Sequence, residues 1–551
     1  MNNSRRAFLK NIGTGAIGLG LLPLARGCSI LKNKPNIVFI YADDLDFDQM
    51  NVDCYPPEVF PCFTGAHRAG KSPDYYVPED WDPYYFEPNS IYTPNMNKLS
   101  KQGAHFTRFY ITSAMCTPSR YSSLTGKYAH KSPSLRDNYK TSTTAPIEWE
   151  QYMSDRDNNL AKKLKKAGYF TAITGKWHNG EPKGVGTRDV YNKYKHDPKL
   201  MNQKMKEAQK RGCRFLENEI GFDLAQNISF GNADRCGGHN LPWNTEAALD
   251  ILDRAHKKPF FLYFPLPVPH GVGGGGEFKK DLKMSAVGKL DKIPDSQPPI
   301  SDVYRRIREN GYSDRSVMFT WIDDCLGEIM NKLKEKGVAE NTILIFASDH
   351  QSRGKFSCYE GARVPCFIRW PKNIPRNLKI DDVCANIDLL PTLLEIAGQP
   401  IPDDIDGQSI LPKITNQSDG DDNRAILLET GYTKAVVKGN YKYIANRPPQ
   451  KILNRMQKEA QKVDNDLKRQ IGWDGEKNKN AGNWGVRFSN NQYFRHYFAA
   501  DQLYNLKEDV FEQNNIAEER PEKVKEMQHE LRKLLNDCPY EFGEFTKSRE
   551  I

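Results

Sequence analysis

Unbroken apolar runs, rather than strict alternation, set the hydrophobic pattern of this chain. The clearest are Asn36-Ile37-Val38-Phe39-Ile40-Tyr41, Tyr169-Phe170-Thr171-Ala172-Ile173-Thr174, Pro259-Phe260-Phe261-Leu262-Tyr263-Phe264 and Thr342-Ile343-Leu344-Ile345-Phe346. Runs of this length with so little polar interruption predict strands covered on both faces, the form that parallel strands take. Helical periodicity in Asn158 to Gly168, and in an amphipathic stretch from about Asp314 to Gly337, supplies the crossovers. The order predicts an α/β fold: a large mixed, mostly parallel sheet flanked by helices. Further on, Ala435-Val436-Val437 and Tyr441-Lys442-Tyr443-Ile444 read as paired strands, and a helix is predicted from Pro521 to Leu535. These elements follow a Ser/Asp/Gly-rich stretch, Thr415 to Asp422, and define a smaller C-terminal α+β subdomain. The expected division is 1–34 as leader and linker, 35–418 as the main domain and 419–551 as the subdomain.

Each long run ends in ionisable residues. The first delivers Asp43-Asp44, the second Lys176 and His178, the third His270 through a Pro-rich turn, and the fourth Asp349-His350, with Lys355 beyond. Ligands of open α/β sheets bind past the carboxyl ends of strands, so this repetition predicts one chemical edge. An acidic pair after a strand is ordinarily a solvated turn or a helix cap. Four such strand ends in one chain argue for a shared site.

The most informative stretch is Cys116-Thr117-Pro118-Ser119-Arg120-Tyr121-Ser122-Ser123-Leu124-Thr125-Gly126-Lys127. It reads as a helix opening, with Thr117 as cap, Pro118 at the first helical position and Gly126-Lys127 closing the end. Cys116 then stands before a helix N-terminus, where an anion is favoured and a thiol is acidified. Arg120, one turn along, is placed to clamp the same anion. A lone Cys in such a place is usually a buried structural residue. The whole string says otherwise, because Cys-x-Pro-Ser-Arg followed by Leu-Thr-Gly resembles the sulfatase signature. Blocks around Tyr359 to Pro365, Asp388 to Leu393 and Asp501 to Leu506 resemble sulfatase counterparts in the same order.

The resemblance implies an alkaline phosphatase-like fold and conversion of Cys116 to formylglycine (3-oxoalanine) by a formylglycine-generating maturation enzyme. It implies one divalent ion, Ca²⁺, held by Asp43, Asp44, Asp349, His350 and the modified residue 116, with His350 where many relatives carry Asn. It further implies that Arg120 and Lys127 steady the nucleophile and the metal ligands. Lys176 and Lys355 would hold the sulfate oxygens, His178 would take a proton during sulfate expulsion, and His270 would bind the substrate and protonate the leaving alcohol. Two segments depart from the pattern: one between Asp46 and Tyr92, and a basic, polar expansion from about Arg447 to Phe498.

Composition changes the picture only in part. Apolar content of 38% and aromatic content of 11% suffice for a packed core. Of the net charge of +9, Arg5, Arg6, Lys10 and Arg26 supply four at the N-terminus, where no acid precedes Asp43. No dense basic block carries a nucleic-acid motif, so nucleic acid is not an expected partner. Ser4-Arg5-Arg6-Ala7-Phe8-Leu9-Lys10 followed by the apolar run Ile12 to Leu24 looks like a twin-arginine export signal, which predicts a periplasmic protein. Leu24-Ala25-Arg26-Gly27-Cys28 loosely resembles a lipoprotein cleavage site, and membrane attachment is expected only if Cys28 is lipidated.

The sequence thus predicts an enzyme, a sulfuric ester hydrolase acting on sulfated carbohydrate, an oligo- or polysaccharide. Tyr75, Tyr76, Trp81, Tyr84, Tyr85 and Phe86 in the first departing segment are rings able to stack on sugars. Asp74, Glu79, Asp80, Asp82 and Glu87 beside them oppose a densely sulfated chain. The alternatives are an arylsulfatase for small esters and a phosphohydrolase of the same superfamily. The latter would favour Thr or Ser at position 116. A catalytically dead carbohydrate-binding module would not need the complete set of ionisable residues.

Overall fold

Eight strands form the main sheet of the computed structural model, which describes residues 34–55, 91–141, 143–232, 239–255, 258–270, 281–351, 355–417, 423–455, 457 and 496–546. In chain order they are β1 (Asn36–Asp43), β2 (Ala104–Phe106), β3 (Phe170–Trp177), β4 (Leu224–Phe230), β5 (Phe260–Pro269), β6 (Thr342–Ser348), β7 (Cys366–Arg369) and β8 (Leu378–Ile380). Across the sheet the order is β8-β2-β7-β6-β1-β5-β3-β4. All neighbours are parallel except β7, which runs antiparallel to both β6 and β2. The sheet is therefore mixed and mostly parallel, as the runs of apolar residues predict.

The expected export leader, Cys28, the aromatic part of the segment after Asp46 (56–90), the Gly-rich stretch 271–280 and most of the basic expansion lie outside the described residues. Among the described residues no helix is long and apolar enough to cross a membrane.

Both faces of the sheet are covered. Ile37, Phe39 and Tyr41 of β1 join one apolar core, while Val38, Ile40 and Ala42 join the other. This is the period-two consequence of a strand buried on both sides. Helix α1 (Cys116–Thr125), α2 (Leu160–Lys166) and α5 (Leu389–Ile396) contribute to the first core. Helices α3 (Leu241–Arg254) and α4 (Val317–Glu335) contribute to the second. The amphipathic stretch expected from Asp314 thus begins with a 3₁₀ turn, Asp314–Ser316, before α4. Helix α2 starts two residues later than its pattern suggests, because the Asn159 side chain accepts from Lys162 N at 3.0 Å and caps it.

The C-terminal elements form a four-stranded antiparallel sheet of β9 (Ala425–Thr430), β10 (Thr433–Lys438), β11 (Tyr441–Asn446) and β12 (Asp501–Asn505), backed by α6 (Pro521–Leu534). Leu427, Val436, Ile444, Leu503 and Leu531 belong to the first apolar core, so this sheet packs onto the main one through a continuous interior. A buried ionic cluster adds to that joint. Glu429 accepts from Lys434 Nζ at 2.7 Å and from His130 N and Nδ1 at 2.9 and 3.0 Å. His130 lies just past α1. Burial opposes the charge on Glu429, but Lys434 and His130 outweigh it and hold the carboxyl well below its usual range. Removing one partner strands a buried charge. Lys434→Met is accordingly expected to cost about 3–5 kcal/mol, measured as a lower denaturant midpoint. A loss within error of zero would show that the cluster does not secure the joint.

Candidate active site

Register brings the ionisable strand ends to one level. Ala42 lies opposite Ser348, and Asp43 opposite Pro269, so Asp43-Asp44, Asp349-His350 and His270 leave three adjacent strands together. The exit from β1 is tight. Asp44 has φ 70°, a left-handed conformation unfavourable for a side chain, and its N–H donates to Asp349 Oδ1 at 3.1 Å. Leu45 N donates to Ser348 Oγ at 3.0 Å, and Asp349 N to Ala42 O at 2.9 Å. These bonds lock the two acidic strand ends to each other.

Lys176 arrives differently from the sequence expectation. Strand β3 does not end at Thr174 but continues to Trp177, so Lys176 is a strand residue. Its pairing with β4 shifts between Ile173 and Gly175. Gly175 has φ 108°, and a Cβ there would lie 2.0 Å from Pro265 O. Only glycine allows this bulge, which redirects the chain immediately before Lys176.

Helix α1 also departs from its expected opening. The N-cap is Met115, and Cys116 is itself the first helical residue. Thr117 does not cap, because its hydroxyl donates to His178 O at 2.9 Å. Pro118 consequently falls in the third helical position. Gly126, at φ 68°, closes the helix as expected, with its N–H on Ser122 O at 2.9 Å. Every residue of α1 is buried. Ser119 and Ser123 are held from beneath: Tyr41 Oη lies 2.8 Å from Ser119 Oγ, Ser123 Oγ donates to Tyr41 Oη at 3.0 Å, and Asn386 Nδ2 donates to Ser119 O at 2.9 Å.

Three carboxylates and three cations meet around Cys116. Arg120 donates from Nε to Asp349 Oδ2 at 3.0 Å, and its Nη2 makes ion pairs with Asp349 Oδ2 at 2.9 Å and Asp43 Oδ1 at 3.4 Å. Lys176 Nζ donates to Asp43 Oδ2 and lies 4.0 Å from Cys116 Sγ. Lys355 Nζ bridges both oxygens of Asp44 at 2.9 and 3.0 Å. Burial works against the charge on Asp43, yet Lys176, with His270, Arg120 and Lys355, holds its carboxyl well below the usual range. Burial pushes Asp44 up to about 6 despite Lys355, with Asp43 adding to the rise. Asp349 is raised by burial and by Asp43, beyond what Arg120 offsets.

The thiol contradicts the expectation drawn from the helix end. Burial and the neighbouring Asp43 push Cys116 up, although Lys176 and Lys355 oppose them. Desolvation of a fully buried thiolate outweighs the helix terminus. Sγ here occupies the position of the side-chain oxygen that a formylglycine would carry.

The donor set fits a hard cation. Ligand atoms of Asp43, Cys116, Asp349 and His350 lie within 4.8 Å of one another, as do those of Asp44, Cys116 and His270. The Nδ1 of His350 is 2.9 Å from Gln351 O, a carbonyl that can only accept, so the proton is on Nδ1. Burial, with Lys355, keeps this imidazole neutral by lowering its pKa far below normal. Nε2 therefore presents a lone pair, 3.1 Å from Asp44 Oδ1 and 3.2 Å from Cys116 Sγ. Two acceptors this close call for a cation between them. Asp43 Oδ1, buried and without a hydrogen-bond partner, is a further acceptor in the same cluster.

The remaining residues divide. His270 Nε2 lies 3.9 Å from Asp44 Oδ2, and its ring meets His239 edge-on at 6.4 Å. His178 is half-buried beside Trp149, at 5.6 Å between rings. Burial first, then Lys176, lowers His178 far below its normal range; burial and Lys355 do the same to His270. Lys127 does not join them. It follows the far end of α1, whose ten residues span roughly 15 Å, and its ammonium pairs with Asp404 at 2.5 Å. Sequence reasoning missed Trp149, His239, Asn179 and Phe356. Asn179 Nδ2 donates to Thr117 O at 2.7 Å and so ties the end of β3 to α1.

This is the architecture of an ester hydrolase that handles an oxyanion at the carboxyl edge of an α/β sheet. The Sulfatase family profile matches residues 35–399. An N-acetylgalactosamine-6-O-sulfatase of Bacteroides thetaiotaomicron is 26% identical, the match covering 92% of this chain and 97% of that one. An ulvan-active sulfatase of Formosa agariphila is 25% identical over 89% of this chain and 77% of its own. Among solved structures, an enzyme in complex with its substrate D-glucosamine-2-N,6-O-disulfate superposes with a TM-score of 0.54 at 18% identity, covering 92% of this chain and 98% of that one. The chain belongs to the sulfatase family, and it is a sulfuric ester hydrolase.

Proposed function

We propose that this protein desulfates carbohydrate, using formylglycine made from Cys116 and one Ca²⁺. The observation that carries the reading is the buried convergence of Asp43, Asp349 and His350 on Cys116, the first residue of the signature helix. A hydrated formylglycine would supply one hydroxyl to attack sulfur and a second whose deprotonation expels sulfate. Ca²⁺, held by Asp43, Asp44, Asp349, His350 and residue 116, would draw charge off the sulfate oxygens.

The chain's own residues do the rest. Arg120 fixes Asp349 and so orients the metal-facing carboxylates. Lys176 and Lys355, both buried, present positive charge where sulfate oxygens gather charge as the alcohol departs. His270, held neutral by burial and Lys355, would gain a proton as the negative charge of the sulfate ester enters beside it, and so protonate the leaving oxygen. His178, kept neutral, is the base for sulfate expulsion.

The substrate class is supported by the relatives' names, which specify amino sugars and ulvan. The twin-arginine-like leader supports export to the periplasm, and with it maturation by a formylglycine-generating enzyme of the host. Membrane attachment follows only if Cys28 is lipidated. Segment 46–92 begins at the metal ligands and carries the ring cluster Tyr75 to Phe86, which supports a role in holding sugar. Deleting residues 72–87 is expected to lower kcat/KM on sulfated oligosaccharide about tenfold more than on an aryl sulfate, in line with the loss of one or two stacked rings. Equal losses on both substrates would remove this segment from sugar recognition.

A further inference from the structure

We propose that Trp149 and Tyr152 form a sugar-stacking ledge at the mouth of the site, with the sulfated ring on Trp149 and an unsulfated neighbour on Tyr152. This rests on the carbohydrate reading above and adds to it a second sugar position.

The ledge is a short strap fixed at both ends. Ile147 exchanges backbone hydrogen bonds with Gly431 at 3.1 and 2.8 Å. At the other end, Met153 N donates to Asn179 O at 2.8 Å, and Asn179 Nδ2 donates to Gln151 O at 3.1 Å. The strap is thus bound to the residue after His178. Trp149 is half-buried, its ring 5.6 Å from the His178 ring and 5.9 Å from Phe356, which follows Lys355. Its indole therefore lies against His178 and against the neighbour in sequence of Lys355, the two residues assigned to sulfate expulsion and sulfate binding.

Tyr152 is 47% exposed. The exposed large hydrophobic residues among those described are Tyr152, Ile293 and Ile401; Tyr152 is the one aromatic ring among them, and it packs over Gly180, two residues past His178. Gly180 makes room for it, since a Cβ there would come within 2.8 Å of Tyr152 Cβ. An aromatic face held open to water is matched to the C–H face of a pyranose, which is apolar while its rim is polar. Three residues of chain span at most about 10 Å, so the two rings serve adjacent sugars. Burial raises the Tyr152 phenol, and Glu150 and Glu181 add to the rise. Carboxylates there disfavour a second sulfate, which is why the outer position is assigned to an unsulfated ring.

The test compares a 6-O-sulfated N-acetylhexosamine with a disaccharide joining that sugar to an unsulfated one. Tyr152→Ala is expected to raise KM for the disaccharide about fivefold more than for the monosaccharide, and Tyr152→Phe to restore it. Equal shifts on both sugars, or a Phe variant as poor as Ala, would overturn the ledge while leaving the carbohydrate reading intact. A parent enzyme that hydrolyses aryl sulfate but neither sugar would overturn both.

Discussion

Cys116→Ala is expected to reduce sulfate-ester hydrolysis by a factor on the order of 10⁵, the loss typical of removing a covalent nucleophile. No other residue at the site can take its place. A thiol attacking sulfur would leave an adduct with no easy route to water, and this thiol is in any case held protonated by burial and Asp43. The substitution should leave the fold in place, because it removes one sulfur from a helix whose packing depends on Tyr41, Ser119, Ser123 and Asn386. A stability change of about 1 kcal/mol with turnover abolished is the expected pair of results. Substantial turnover by a well-folded Cys116→Ala enzyme would remove residue 116 from the chemistry.

The second large effect concerns the metal. Asp349→Asn should lower bound divalent ion to a small fraction of the parent's and reduce turnover by roughly three orders of magnitude. Two consequences act together. The proposed cation would lose a charged ligand, and Arg120, fully buried, loses the carboxylate that accepts from its Nε and ion-pairs with its Nη2. Elemental analysis of the purified protein, with turnover measured before and after chelation, separates the metal from the fold. Restoration of the chelated parent by added Ca²⁺ supports the assigned ion; restoration by Mg²⁺ or Mn²⁺ alone would replace it. Full activity after chelation, with no ion bound, would refute the site.

Much of this site is legible in the sequence, for a physical reason. Strands covered on both faces must be continuously apolar, so the first ionisable residues after Tyr41, Phe264 and Phe346 mark where the sheet meets solvent or ligand. What escaped has equally specific causes. Strand β7, Cys366–Arg369, is too short to declare its antiparallel direction. The place of Lys176 depends on a bulge that sequence shows only as a glycine. Thr117 looks like a cap, but a carbonyl from the end of β3 claims its hydroxyl. Lys127 belongs to the same motif as Cys116 yet lies at the other end of the helix. The thiol's acidity was misjudged because burial is set by tertiary packing around the whole of α1. Trp149 and Phe356 carry no motif and become neighbours only through the fold.

The measurement closest to the central claim is mass analysis of the peptide containing residue 116, taken from protein whose sulfate release has been measured on the same preparation. An aldehyde is expected at position 116, with specific activity rising in proportion to its fraction across preparations made with and without the maturation enzyme. Fully active protein carrying only unmodified cysteine at position 116 would contradict that claim.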